Sequence, residues 1–186
     1  GFKCVWTPER HFHPFGGVYP NPTITSAALA TITSDIELRA GSLTSPLHQS
    51  VRIAEDWSVV DNLSNGRVAI SFGSGWNIND FVCFPERYND RRSFMRSQID
   101  IIQKLWRGDS LKMKNSNGAE TEVRVFPHPI QKKLPIWVTS SGNQKTFVDA
   151  GAMGANILTH MIGQNLQELN KKIVAYRSAR IESNLD

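Results

Sequence analysis

Cysteine is scarce in this chain: there are two in 186 residues, Cys4 and Cys83. One falls in an expected strand and the other in an expected loop, so they form neither a disulfide framework nor a thiolate metal site. A reducing, cytoplasmic setting is expected. No apolar run approaches the roughly 18 residues of a membrane span, and no leader with a charged start and an apolar middle precedes the first strand. Blocks of like charge are also missing, because 21 Lys and Arg against 17 Asp and Glu are spread along the chain and leave a net +4. This excludes a nucleic-acid-binding tail and describes a mildly basic surface suited to an anionic ligand or partner. Internal repeats, low-complexity tracts and linkers are absent. No initiator Met stands before a strand that begins almost at residue 1, so an excerpt of a longer chain is expected, folded as one partial domain over residues 1–186.

What is present is the composition of an ordinary globular protein, 40% hydrophobic and 20% charged. The stretch from His48 to Asp80 says most. Ile53, Trp57 and Val60 recur at i, i+4, i+7, the pattern of a helix that buries one stripe, and Ser64-Asn65-Gly66 supplies the positive-φ residues that end it. A strand follows over 67–72, in which bulky Val68, Ile70 and Phe72 alternate with Ala69, Ser71 and then Gly73. The nearly bare second face, ending in Gly73-Ser74-Gly75-Trp76, leaves space for something other than a side chain. Close packing of the backbone is the alternative.

The other elements share this rhythm. Strands are expected over 1–7, 36–42, 135–139 and 156–159. Helices are expected over 23–34, 90–107 with Phe94, Ile101, Ile102 and Leu105 inward, 144–152, and 166–182 with Leu169, Ile173 and Tyr176 inward. Residues 110–134 break the rhythm as an inserted β-hairpin around Asn115-Ser-Asn-Gly118. Strand–helix alternation means a parallel sheet. Polar residues cluster after the strands, at Glu9 to His13, Ser42, Ser71 to Trp76, Ser140 to Asn143 and Thr159-His160. That favours an α/β fold of (β/α)8 TIM-barrel type, where such positions meet at one mouth, over a doubly wound sheet.

Three clusters carry chemistry. Ser140-Ser141-Gly142-Asn143 stands at a strand-to-helix turn, where free N–H groups and the helix dipole favour a phosphate; an ordinary helix cap is the plainer reading. Glu9-Arg10-His11-Phe12-His13 combines a proton relay with an anion-holding cation, or is a loop with a histidine stacked on Phe12 or Phe15. A metal held by His11, His13 and His160, with His48, is the third possibility. No acidic residue is recognised at a strand end to complete that set, and no metal is assigned. Trp76 and Trp137 flank a planar ligand or simply pack, and His48 reads as a cap or surface group.

Val5-Trp-Thr-Pro-Glu-Arg-His-Phe-His-Pro-Phe-Gly-Gly-Val-Tyr-Pro-Asn-Pro22, Arg39-Ala-Gly-Ser42, Val51-Arg-Ile-Ala-Glu-Asp-Trp57, Asp61-Asn-Leu-Ser-Asn-Gly-Arg67, Ser74-Gly-Trp-Asn77 and Leu158-Thr-His160 together resemble the luciferase-like monooxygenases of the bacterial luciferase superfamily. The resemblance is closest to the branch that accompanies peptide and polyketide synthetases. It implies a (β/α)8 barrel that uses reduced FMN from a separate flavin reductase, and O2, to oxygenate a small or carrier-protein-tethered substrate of secondary metabolism. A dimer is expected of the full-length protein, and the related deazaflavin stays open as cofactor. The resemblance puts the FMN phosphate on Ser140, Ser141 and Gly142, and the ring on Gly41, Ser42, Gly73, Ser74, Gly75, Trp76, Thr159 and His160. It also implies a non-proline cis peptide near Gly41-Ser42. Bacterial luciferase has paired histidines after this Glu, where the present chain has Arg10-His11, so the acid–base role moves to His11 with Arg10 beside it. By the same comparison the first strand and helix and the last strands are missing, and the barrel is incomplete. A catalytically idle flavin-binding domain and a metal-dependent barrel hydrolase are the rival functions.

Overall fold

The computed structural model describes residues 1–185. Its centre is a five-stranded, all-parallel sheet of β1 (Cys4–Thr7), β2 (Glu37–Thr44), β3 (Val68–Gly73), β6 (Ile136–Thr139) and β7 (Asn156–Leu158). β4 (Leu111–Lys114) and β5 (Glu120–Val123) form the expected hairpin as a separate antiparallel pair. The sheet order is β1-β2-β3-β6-β7, so the strands follow one another in chain order. A doubly wound sheet reverses its order at a switch point, whereas a (β/α)8 barrel never does. The architecture is an arc of such a barrel, with β1 and β7 outermost among the described residues.

Helices return the chain between neighbouring strands, α1 (Pro22–Ile32), α2 (Ser50–Leu63), α3 (Arg91–Trp106) and α4 (Gln144–Ala152), and α5 (Leu166–Glu182) follows β7. Three of the starts, those of α1, α4 and α5, carry a side-chain cap. Asn21 caps α1 by accepting from the Thr23 amide at 2.8 Å, with Pro22 in the first turn. Asn165 and Glu168 form a reciprocal capping box on α5. α2 stops where expected, with Asn65 and Gly66 at φ 55° and 79°.

Alternation along the strands decides what faces the helices. Leu38 and Ala40 of β2, Val68, Ile70 and Phe72 of β3, and Ile136 and Val138 of β6 are buried with Ile53, Trp57 and Val60 of α2 and Ile99, Ile102 and Leu105 of α3. The stripe expected on α2 holds. On α3 it is rotated: Met95, Ile99, Ile102, Leu105 and Trp106 are buried, while Phe94 and Ile101 are half-buried. Phe94 instead lies under the Arg87 guanidinium, 4.7 Å from its ring centroid. On α5, Leu169, Ile173 and Tyr176 are half-buried and the buried residues are Lys172 and Ala179. The cause is Gly151 of α4, where an added Cβ would run into the Tyr176 carbonyl and come within 3.2 Å of the Ala179 side chain. The two helices cross at that point with almost no side chain between them.

β2 extends past its expected end to Thr44, with a cis peptide between Gly41 and Ser42 and a register shift against β3 there. The arm after the hairpin is tied to α2. Asp61, fully buried, accepts from the Gln131 backbone amide at 2.9 Å and its side-chain amide at 2.7 Å.

The bare face of β3 is filled differently from expectation. Ala69 and Ser71 are buried on the sheet face that also carries Trp6, Arg39 and Trp137. The Arg39 guanidinium lies 5.1 Å from the Trp6 ring and 4.4 Å from the Trp137 ring, and Ser71 Oγ meets Thr139 Oγ1 at 2.7 Å. Side chains therefore occupy the lower part of this face, and Trp137 does not flank the opening above. Among the β3 residues, only Gly73 at the strand tip borders the opening above.

Candidate active site

Parallel strands put all their C-terminal ends on one side, so the loops after β1, β2, β3 and β6 converge with the end of β7. They surround a cleft of about 1160 Å³. Arg10, Gly41, Ser42, Gly73, Ser74, Gly75, Trp76, Ser140, Ser141, Gly142 and His160 all line it. His11 and Thr159 are not among its lining residues. The Thr159 hydroxyl instead accepts from Gln164 Nε2 at 3.0 Å, behind the wall.

The glycines differ in what requires them. An added Cβ at Gly41 would lie 2.8 Å from the Trp6 side chain, so close packing explains this residue. At Gly73 it would meet Ser42 Oγ at 2.9 Å, and Gly75 combines φ 77° with contacts of 2.9 Å to Phe81 and Thr44. Gly142 is the opposite case, because its added Cβ would find nothing within 4 Å. Trp76, 73% exposed, stands at the rim.

Behind one wall lies a buried acid–base cluster. Glu9 borders the cleft, but its side chain is 0% exposed. Its Oε1 meets His11 Nε2 at 2.8 Å and His48 Nε2 at 2.6 Å, and its Oε2 accepts from the Thr44 amide at 2.5 Å. Burial pushes the Glu9 carboxyl up, but the hydrogen bonds from His11 and His48, the His48 charge and the Thr44 amide outweigh it and hold the group below its ordinary range. The hydrogen bond to Glu9 raises His11, against the opposing effect of burial. His48 caps the short turn Ser45–Leu47 through its backbone, but its side chain is no surface group. Its carbonyl is pinned by Gln98 Nε2 at 3.0 Å and by Arg87 at 2.9 Å. Glu9 also corrects the expectation that no acid stands at a strand end, since it lies two residues beyond β1. Glu9, His11 and His48 have ligand atoms within 4.8 Å of one another, a spacing that could hold a metal ion; His13 and His160 are not in this group. As arranged, both imidazoles direct Nε2 at one carboxylate oxygen, so the set is satisfied internally.

The opposite wall is the β6–α4 turn. Asn143 does cap α4, its side chain accepting from the Lys145 amide at 2.9 Å, so the plain reading of this segment is correct as far as it goes. Yet the Gln144 amide and that of Gly142 have no acceptor among the described residues, and both residues line the cleft. Behind the turn, Lys172 Nζ donates to the Ser141 carbonyl at 2.8 Å and to Gln164 Oε1 at 2.8 Å. Sequence reasoning gave Lys172 no role and placed Glu9 only within the 9–13 acid–base cluster, because each acts through a fold contact with a distant segment.

Arginines edge the cleft. Arg91 Nε donates to the Gly75 carbonyl at 3.1 Å and its guanidinium stacks on Tyr88. Arg96 pairs with Asp149 at 3.0 Å. Arg92 is exposed, and Arg10 stacks 5.8 Å from the Phe15 ring. The residues present suit a phosphorylated planar ring: unpaired amides and hydroxyls at the β6–α4 turn, an open Gly142, small residues at the strand tips, and a volume slightly above the roughly 300–1,000 Å³ of small-molecule sites.

The luciferase-like monooxygenase family model matches residues 1–185. The chain is 26% identical over 184 residues to the oxygenase component of a flavin-dependent trigonelline monooxygenase from Acinetobacter baylyi, covering 96% of this chain and 50% of that protein. Among solved structures, the monooxygenase RslO1 from Streptomyces bottropensis superposes with a TM-score of 0.87 at 23% identity, covering all of this chain and 56% of the other. The oxygenating constituent of 3,6-diketocamphane monooxygenase from Pseudomonas putida, solved with FMN, gives 0.83 at 18% identity, covering all of this chain and 54% of the other. The chain spans about half the length of the relatives it matches. No described helix is long and apolar enough to cross a membrane.

Proposed function

The chain belongs to the luciferase-like monooxygenases, and from that premise we propose that it forms the cofactor-binding part of a flavin-dependent monooxygenase. Its substrate is a small or carrier-tethered intermediate of secondary metabolism. The observation that carries the reading is the convergence of Ser140, Ser141 and Gly142 with Gly73 to Trp76 and Ser42 around one cleft. The β6–α4 turn takes the phosphate on the Gly142 and Gln144 amides and the serine hydroxyls. Ser42, Gly73 to Trp76 and His160 hold the ring, which leaves the Arg10 side of the cleft for substrate.

Bound reduced FMN would supply the electrons and the activation of oxygen, and the protein supplies position, dryness and protons. The catalytic assignment to His11 extends here to the cluster it forms with Glu9 and His48, in which the buried Glu9 carboxylate accepts from both imidazoles and orients them as the proton carriers. Arg10 holds negative charge on the substrate side. The resemblance to an oxygenase component supports a separate flavin reductase as partner. The substrate class rests on the motifs shared with synthetase-associated enzymes.

The test is titration of the intact protein with FMN, followed by oxygen uptake with NADH and a flavin reductase. Binding with substrate-dependent oxygen uptake is expected. Binding without uptake would establish an idle flavin domain, preference for a deazaflavin would reassign the cofactor, and tight zinc binding without flavin would favour the hydrolase.

A further inference from the structure

Lys172 is 9% exposed, and no carboxylate lies within ion-pair distance of it among the described residues. A buried cation without a counter-charge is costly, and the cost falls when an anion is held nearby. Its two hydrogen-bond partners are neutral, the Ser141 carbonyl and Gln164 Oε1, each at 2.8 Å. The Ser141–Gly142 peptide is not among the cis bonds, and in a trans peptide the C=O and N–H groups point in opposite directions. With the carbonyl turned back to α5, the Gly142 amide is turned to the cleft, into the open space next to Gly142. Donation to the carbonyl polarises the peptide and strengthens that amide as a donor. Gln164 also bonds Thr159 Oγ1 and the His160 carbonyl, so Lys172 ties the two loops on this side of the cleft together.

We propose that Lys172 is the residue that makes this cleft prefer the phosphorylated form of a flavin over the unphosphorylated one. It acts as a positioning residue, through its own charge and through the Ser141–Gly142 peptide. The inference rests on the flavin reading above and adds a residue to it.

The test compares FMN and riboflavin binding by flavin fluorescence in the intact protein and in Lys172→Met, Lys172→Gln and Lys172→Arg variants. Loss of the charge weakens FMN about tenfold and leaves riboflavin nearly unchanged, with Lys172→Arg retaining most of the preference. Lys172→Gln keeps a donor to the Ser141 carbonyl without the charge, so it covers the case in which Lys172→Met fails to fold. Equal weakening of both flavins, or no change in either, overturns the proposal. Should the wild type bind neither flavin, the flavin reading fails, and inorganic phosphate then decides on Lys172. Thermal stabilisation by phosphate that disappears in Lys172→Gln supports the proposal, and its absence in the wild type refutes it.

Discussion

Glu9 and His48 lie 39 residues apart in sequence and meet at 2.6 Å, carboxylate oxygen to Nε2. This contact joins the loop after β1 to the start of α2 and makes folding sensitive to pH. Glu9 is held below its ordinary 4.5, so its contribution is present above that value and is lost as pH falls through the lowered one. His11 is held above its ordinary 6.5, so its contribution is complete below that value and is lost as pH rises through the raised one. Stability from this cluster is therefore greatest between 4.5 and 6.5. Thermal unfolding of wild type and Glu9→Gln across pH should show a maximum in that interval that the variant flattens; profiles of the same shape would refute the coupling.

Gly151→Ala tests the α4–α5 crossing. The new methyl has no room beside the Tyr176 carbonyl, so the helices must separate, at a cost of about 1–3 kcal/mol. Denaturant unfolding measures it, and wild-type stability in the variant would show that the crossing is looser than described.

Asp61→Ala removes a buried acceptor of two hydrogen bonds from Gln131. A loss of about 1–3 kcal/mol is expected, since the Gln131 amides stay without a partner. Limited proteolysis should cut the 124–134 arm first; cleavage elsewhere would argue against that segment as the weak point.

Gly73→Val fills the strand tip where Ser42 Oγ already sits 2.9 Å from an added Cβ. Flavin binding should fall at least about tenfold while circular dichroism stays unchanged. Undiminished binding would remove Gly73 from the site.

Much of the fold was legible because helix and strand periods are local. Ile53, Trp57 and Val60 give α2 its stripe, Asn65 and Gly66 its stop, and the strand–helix rhythm gives the parallel sheet. The rotation of α3 was not legible, because Phe94 is as apolar as Met95 and the Arg87 guanidinium that covers Phe94 lies outside the helix pattern. For α5 the deciding residue, Gly151, lies on another helix. In the candidate site, residues of a contiguous turn such as Ser140 to Gly142 could be read from their place after a strand. His48 could not, since its polar partner is Glu9 and nothing around His48 in sequence signals an acid. The open face of β3 was over-read, because Arg39, which helps cover it, sits on a neighbouring strand at the register position of Ala69.

The sandwich of Trp6, Arg39 and Trp137 limits how far down the sheet a guest can settle. Whatever enters between the strand tips comes to rest above two indole rings braced by a guanidinium. On the proposed flavin reading, cofactor and substrate would meet above this floor rather than within the sheet.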